Sequence, residues 1–421
     1  MSRIEEMIRE LCPNGVEYKA LGEIGTFIRG NGLQKKDFTD KGVGCIHYGQ
    51  IYTSYDLFTE TTKSYVSAEL AKKLKKAQHG DLVIAATSEN VEDVCKAVAW
   101  LGEDEIAISG DAYIFSHHEN PKYIAYFFSS IYFQEQKKPL VTGTKVMRVS
   151  DRGMSKISIP VPPLSIQEEI VTILDKFTEL EAELEAELEA RRKQYEYYRN
   201  KLLNFSEFTP PRKSEVKWLT MNEVFELKNG YTPSKAKPEY WTNGTIPWFR
   251  MEDIRINGRI LEDSIQHITS EAVKGGRLFP ANSIILATTA TIGEHALIIA
   301  DSLANQRFTN LSIRKSLVDE LDMKFFFYYM FIVDEWCKSN TNTSGFESVD
   351  MVKFKKLQIP IPPMEEQQRI VAILDKFEAL VNDISEGLPA EIAARRRQYE
   401  YYRDKLLTFK RKEDAKIQPC S

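Results

Sequence analysis

The sequence is poor in the residues and motifs on which most catalysts depend. It holds five cysteines, Cys12, Cys45, Cys95, Cys337 and Cys420, an odd number at wide spacing with no CxxC pair. That argues against a disulfide framework and a structural zinc site, and for reduced thiols in a cytoplasmic location. The six histidines are dispersed; only His117 and His118 adjoin, with Glu119 next. Adjacent side chains diverge, so a loop surface rather than a metal site is expected there. No GxxxxGK(S/T) occurs, which excludes a P-loop nucleotide site; Thr142-Gly-Thr-Lys145 lacks the first glycine. No GxGxxG follows a strand pattern, and no Asn-Pro-Pro-aromatic, HExxH, GxSxG or zinc-deaminase signature is present. Asp322-Met-Lys324 has no upstream acidic partner, so it does not make a nuclease carboxylate–lysine set. The longest apolar run, Phe325 to Val333, is far short of the roughly 20 residues that span a bilayer. Residues 1–10 are charged and lack the apolar stretch of a signal peptide. These absences predict a chain with no catalytic residues, no cofactor, no metal and no membrane contact: a reader or a scaffold.

What is present is globular in kind. The 421 residues are 43% hydrophobic and 28% charged, which excludes wholesale disorder and suits two to four domains. With 56 lysines and arginines against 61 acidic residues the formal charge is −5. A free-standing nucleic-acid binder is usually basic, but a basic face can sit opposite acidic helices.

The chain repeats itself. Ile159-Pro-Val-Pro-Pro163 returns as Ile359-Pro-Ile-Pro-Pro363, and Ile173-Leu-Asp-Lys-Phe177 returns unchanged at Ile373–Phe377. The run Arg191–Leu203 returns at Arg395–Leu407 with 11 of 13 positions the same. Weaker echoes 200 residues apart pair Val16, Glu23, Gly30, Ile46, Tyr18 and Tyr48 with Val216, Glu223, Gly230, Ile246, Trp218 and Trp248. The organisation is therefore two variable modules, 1–158 and 214–358, each followed by a constant segment, 159–213 and 359–421. The offset grows from 200 to 204 between the two motifs because Glu181-Ala-Glu-Leu184 is duplicated as Glu185-Ala-Glu-Leu188. Four residues are about one helical turn, so the stretch reads as a solvated helix or as a spacer whose length matters.

The constant segments read as long helices. Ser165 with Glu168 predicts a capping box, and Ile170, Leu174, Phe177, Leu180, Leu184 and Leu188 follow at helical spacing. The second copy runs through Ile370, Leu374, Phe377 and Val381, and Gly387 with Pro389 should break or kink it. Such a stripe cannot be buried alone, which implies helix pairing, partner docking or both. In the modules, Leu82–Ala86 and Ser283–Leu286 predict strands, and Tyr123–Phe133 and Met323–Trp336 predict buried helices. Polar Gly- and Thr-bearing loops separate these elements.

The repeat motifs resemble those of the DNA specificity subunits of Type I restriction–modification enzymes. The likeness rests on IPxPP followed by Gln167-Glu168 or Glu366-Gln367, on ILDKF, on the EAEL tetrapeptides and on the RRxQYEYYRxKLL ending, and it covers nearly the whole chain. The tetrapeptides resemble one subfamily. The resemblance implies a mixed α/β fold: two similar target recognition domains at opposite ends of long helices that pair antiparallel, related by a pseudo-two-fold. It implies a non-enzymatic subunit that reads an asymmetric bipartite DNA sequence. The partners implied are double-stranded DNA, two methyltransferase subunits and, through them, two translocase–nuclease subunits. The alternative is a helical scaffold without DNA specificity.

Candidate base and phosphate contacts in the first module are Arg29, Asn31, Gln34, Lys35, Lys36, Tyr48, Gln50, Ser88, Asn90, Lys145 and Arg148. In the second they are Lys228, Asn229, Ser234, Lys235, Lys237, Trp248, Arg250, Arg255, Thr289, Thr291 and Arg307. Cations fix register on phosphates, and amides, hydroxyls and guanidinium groups read base edges in the major groove. Tyr48 and Trp248 are residue types more often found in a core than reading DNA. Candidate subunit-interface residues on the helices are Ile173, Leu174, Phe177, Tyr195, Tyr198, Ile373, Leu374, Phe377, Tyr399 and Tyr402.

Overall fold

The computed structural model describes residues 3–205, 216–342, 347–382 and 386–412. Cys420, the end of the first constant segment and part of the loop 341–348 lie outside them. The chain forms two compact units that do not follow the linear order of the sequence. One comprises residues 1–185 and 391–421, the other residues 186–390. Each unit thus combines one variable module, the helix that follows it, and a helical segment from the other constant region. Among the described residues, no helix is long and apolar enough to cross a membrane.

The core of the first unit is a five-stranded sheet in the order Gly25–Arg29, Ala112–His117, Leu82–Ala85, Ala97–Trp100, Phe58–Thr59. The run Leu82-Val-Ile-Ala85 is buried at every position, as expected of a central strand covered on both faces. A four-stranded sheet, Ser64–Val66, Val43–Ile46, Ile106–Ile108 and Lys76–Ala77, packs beside it. The second unit repeats the scheme. Its five strands are Phe225–Asn229, Phe308–Ile313, Ser283–Ala287, His295–Ile298 and Ile260–Leu261, and its smaller sheet has three strands, His267–Ile268, Ile246–Phe249 and Leu303–Ala304.

The predicted buried helices form with a local difference. In the first unit Asn120 caps Pro121–Ser129 and accepts from the Tyr123 amide at 3.1 Å, with proline in the first turn where no donor is needed. Ser130, extended at φ −75° and ψ 158°, ends that helix and caps the next, Ile131–Lys137. The second unit has no such residue there, and Met323–Ser339 runs unbroken for 17 residues from its Asp322 cap.

The first constant segment is one helix of 40 residues, Leu164–Leu203. It starts two residues earlier than a cap at Ser165 requires: the amides of Ile166 and Gln167 bond to the carbonyl of Pro163, so Ser165 lies within the first turn and the predicted capping box does not form. The second segment is two helices, Met364–Asn382 and Leu388–Leu406, interrupted around Gly387 as its glycine and proline dictate. Pro389 sits in the first turn of the new helix, the one helical place it fits.

Within each unit the helical segments pair and anchor to the module in the same way, and in the first they run antiparallel. In the first, Phe177 stacks on Tyr402 at 5.4 Å while Arg396 pairs with Glu181 and Glu185 further along. In the second, Phe377 stacks on Tyr198 at 5.8 Å and on Tyr195 at 6.3 Å. Gln167 is fully buried, accepts from the Asn120 amide at 3.0 Å and donates to the Pro162 carbonyl at 2.8 Å. Gln367 is equally buried, accepts from the Asp322 amide at 2.8 Å and donates to the Pro362 carbonyl at 2.8 Å. A buried amide so satisfied fixes the angle at which the helix leaves the Pro-rich strand.

Candidate nucleic-acid interface

Strand register sets the candidate site. In the first unit Gly30 crosses the turn Ser109–Asp111 so closely that a Cβ there would lie 2.2 Å from the Ser109 carbonyl oxygen. Gly230 crosses Asn305–Arg307 in the same manner, 2.2 Å from the Asn305 oxygen. The 200-residue offset therefore holds as far as this crossing. Beyond it the offset fails. Ile46 pairs in parallel with Ile108, while Phe249 pairs with Ala304, so the structural counterpart of Ile46 is Phe249 and not Ile246. Tyr48 and Trp248 are correspondingly not equivalents. Three extra residues in the second module's loop displace the match.

The crossing in the first unit opens a cleft of about 300 Å³ lined by Arg29, Gln34, His47, Tyr48, Ser109 and Asp111, together with Gly32, Leu33 and Gly110. The structure thus brings together three of the predicted contacts, Arg29, Gln34 and Tyr48, and adds His47 and Asp111. The Arg29 Nε donates to the Gly110 carbonyl at 3.0 Å, and its Nη2 lies 3.6 Å from Asp111 Oδ1. His47 Nδ1 accepts from the Gly49 amide at 3.2 Å and caps the helix Tyr48–Thr53. Burial, reinforced by the charge of Lys35, holds its imidazole below the usual histidine range, while Asp111 opposes them. Lys35 and Lys36 are exposed on the adjoining turn.

Other predicted contacts are occupied with holding loops. The Asn31 amide donates to the Lys73 carbonyl at 2.9 Å and accepts from the Lys75 amide at 2.7 Å. Gln50 accepts from the His47 amide at 3.0 Å and donates to Ser64 Oγ at 2.9 Å. Asn90 bonds to Asp93 at 2.7 Å. Ser88 and Arg148 lie on paired strands, Thr87–Ser88 with Met147–Arg148, and Lys145 and Arg148 are exposed on the hairpin that Thr142 and Arg148 close.

In the second unit Trp248 is 4% exposed, donates to the Tyr231 carbonyl at 3.0 Å and packs edge-on against Trp241. It is a core residue, and the prediction that it reads DNA is corrected. Lys228 reaches the Leu278 carbonyl at 3.5 Å, and the Asn229 side-chain oxygen accepts from Thr309 at 3.1 Å. Ser234 contributes its carbonyl to Trp241 Nε1 at 3.1 Å, and Lys237 stacks over Tyr240 at 4.9 Å. Arg250 pairs with Glu252 at 3.0 Å. Lys235, Arg255 and Arg307 are exposed. Thr289 bridges to Ser348, and the Thr291 hydroxyl is buried.

The predicted interface residues lie in the helix seams. Leu174 and Leu374 are fully buried and Tyr195 is 5% exposed, so all three belong to the units' own cores. Ile173, Phe177, Ile373, Phe377, Tyr399 and Tyr402 are half-buried, and Tyr198 is exposed. Two exposed aromatics in the same repeat were missed, Tyr197 at 60% and Tyr401 at 61% exposed. Each lies two positions after a tyrosine of the seam, buried Tyr195 and half-buried Tyr399, which places it off the packed face.

Burial pushes the thiols of Cys45, Cys95 and Cys337 up to about 12, away from the nucleophilic thiolate form. Of the His-His-Glu run, His117 packs against Phe115, His118 is exposed and Glu119 accepts from Gln167. Among the described residues no group of three or more histidine, cysteine or carboxylate side chains is placed to hold a metal. Beneath the loop 288–294 lies a pair that the sequence did not signal, fully buried His295 bonded through Nδ1 to Asp334 at 2.6 Å.

The chain is similar to known proteins in sequence and in fold. The sequence profile of the Type I restriction modification DNA specificity domain matches residues 13–190 and again residues 213–394. The chain is 57% identical over 206 residues to the EcoprrI specificity subunit of Escherichia coli, spanning 47% of this chain and 51% of that one. It is 42% identical over 281 residues to the EcoR124I/EcoR124II specificity subunit of the same species, spanning 63% of this chain and 66% of that one. The matches thus span about half to two thirds of these relatives' lengths. A putative type I specificity subunit of Haemophilus influenzae is 34% identical over 286 residues, spanning 64% of this chain and 69% of that one. Among solved structures, a chain from a type I R-M system studied for complex assembly and conformational transition aligns over 93% of this chain and 97% of its own, with TM-score 0.63 and 18% identity. The HsdS subunit of Thermoanaerobacter tengcongensis aligns over 95% and 99%, with TM-score 0.51 and 19% identity. At these identities the structures speak to fold alone.

Proposed function

The chain belongs to the Type I restriction modification DNA specificity domain family, and from that premise we propose that it is the specificity subunit of a Type I restriction–modification complex. It reads a bipartite, asymmetric DNA target, one half-site per recognition module, 1–158 and 214–358. The helical segments 159–213 and 359–421 hold the modules and recruit partners. Those partners are two methyltransferase subunits and, through them, two translocase–nuclease subunits. Catalysis belongs to the partners, and this subunit supplies only recognition.

The observation that carries this reading is the double construction. Two units share one strand order and one glycine crossing, yet surround it with different side chains. A molecule that keeps a scaffold twice while changing what it presents is suited to reading two different sequences. The cleft and hairpin of the first unit offer Arg29, Gln34, Tyr48, Lys145 and Arg148 for base edges and phosphates. In the second, Lys235, Arg255 and Arg307 are free to do so. The exposed tyrosines along the paired helices are the surface offered to partners. The test is co-expression with a methyltransferase subunit of the Type I class, purification of the complex and sequencing of the methylated DNA. A two-part methylated motif supports the reading. A complex that forms without methylating any defined sequence leaves the helical scaffold as the function.

A further inference from the structure

The two units build one turn from opposite chemistry. Ser109–Asp111 leads from the strand Ile106–Ile108 into Ala112–His117, and Asn305–Arg307 leads from Leu303–Ala304 into Phe308–Ile313. Equivalent backbone hydrogen bonds hold both. The Ser109 amide donates to the Ile46 carbonyl at 3.2 Å, and the Asn305 amide to the Phe249 carbonyl at 3.0 Å. Ala112 closes its turn on the Ser109 carbonyl at 3.1 Å, and Phe308 on the Asn305 carbonyl at 3.1 Å. The carbonyl of Asp111 accepts from the Ala86 amide at 2.8 Å, and that of Arg307 from the Thr288 amide at 2.9 Å. Gly30 and Gly230 then donate to Ala112 and Phe308 at 2.9 and 2.8 Å. Residues 111 and 307 therefore occupy one backbone position, and one is an acid where the other is a base.

Their neighbours are matched to them. Arg29 and Asn229 end the crossing strands, opposite Tyr113 and Thr309 respectively. Arg29 is tied to the Gly110 carbonyl and lies 3.6 Å from Asp111, whose side chain remains 45% exposed on the cleft. A carboxylate on a surface that meets phosphates is repelled unless it is neutralised and given a donor. Arg29 neutralises it, and a base amino group in the major groove is the donor that DNA offers. In the second unit Arg307 is exposed, its own amide held by Asn305 Oδ1 at 2.9 Å, and the neutral Asn229 ends the crossing strand where Arg29 does in the first.

We infer that this turn carries opposed sequence determinants in the two modules. Asp111 accepts a hydrogen bond from an exocyclic amino group, cytosine N4 or adenine N6, and Arg307 donates to O6 and N7 of a guanine. Arg29 is a positioning residue for Asp111. This rests on the reading of the chain as a bipartite DNA reader and names what each half-site must present to it.

The test uses the whole complex, comparing wild type, Asp111→Ala and Arg307→Ala by methylation mapping. Asp111→Ala is expected to relax a single base pair of one half-site by about tenfold or more, the size of one good base-edge contact, and to leave the other half-site unchanged. Whether the wild-type pair there is G·C or A·T identifies the amino group as cytosine's or adenine's. Arg307→Ala is expected to relax a single G·C pair of the other half-site. The untouched half-site in each variant shows that the protein has folded. The assignment is overturned if both variants keep every base preference, if methylation falls uniformly over all sequences, or if Arg307→Ala relaxes an A·T pair. A wild-type complex with no bipartite target overturns instead the reading on which the inference rests.

Discussion

The phenol of Tyr126 donates to Oδ1 of Asp175 at 2.7 Å, and the same bond joins Tyr328 to Asp375 at 2.6 Å in the other unit. The second oxygen of each carboxylate takes a lysine, Lys122 at 2.7 Å and Lys324 at 2.8 Å. Asp175 and Asp375 are the aspartates of the two ILDKF motifs, so the repeated pentapeptide is a clamp between helix and module. Tyr126 and Tyr328 are buried, and burial pushes both phenols above the ordinary tyrosine range. Asp175→Ala would strand a buried hydroxyl and a lysine, a cost of about 1–3 kcal/mol. Denaturant unfolding should show that loss, and a cycle with Tyr126→Phe should show coupling between the two changes. Strict additivity would mean the bond contributes nothing.

Acid should loosen the first unit through His117. Burial holds its imidazole at about 4, against an ordinary value of 6.5. Its folded value lies below the unfolded one, so between those pH values the unfolded chain binds the extra proton. The stability it permits is present above pH 6.5 and falls as pH drops towards 4, by on the order of 3 kcal/mol in all. His117→Phe removes the titration, and its stability should decline less steeply over that window than the wild type's. Parallel pH profiles would count against a neutral buried ring.

The division between the two units falls between Glu185 and Ala186, inside the duplicated tetrapeptide of the 40-residue helix. Deleting Glu185–Leu188 shortens that helix by about 6 Å and turns it by about 400°, only some 40° past a full turn. The seam residues on either side therefore nearly keep their faces. Both module cores should survive, and the methylated target should keep both half-sites with one or two fewer unspecified base pairs between them. Methylation mapping of the variant decides it: an unchanged spacer would make the repeat surface filler.

The helices and the internal repeat were legible because their signals are local or recurrent: apolar residues at spacings of three and four, Gly387 with Pro389, and motifs recurring across the chain. What was not legible depended on long-range closure. The strand Ile46 looks equivalent to Ile246 in one dimension, and only pairing with the strand that enters the 109–111 turn shows that Phe249 takes its place. Trp248 resembled a reader because it is aromatic and near cations, and the Tyr231 carbonyl that satisfies its indole is 17 residues away. Asp111 went unnoticed because a search for cations and amides passes over an acid, and its value lies in Arg29, which only strand pairing brings alongside. Nor could the sequence say that residues 391–421 complete the first unit, an arrangement tied down by contacts such as the Val16 amide on the Lys410 carbonyl at 2.8 Å.

The central claim is that each module reads one half of a bipartite target. Replacing residues 214–358 with the second module of a relative of different specificity, and mapping methylation by the assembled complex, tests it most directly. The account predicts that one half-site is exchanged for the relative's and the other stays unchanged, because each module has its own sheet, core and anchoring clamp. A swap that alters both half-sites, or neither while methylation persists, would contradict it.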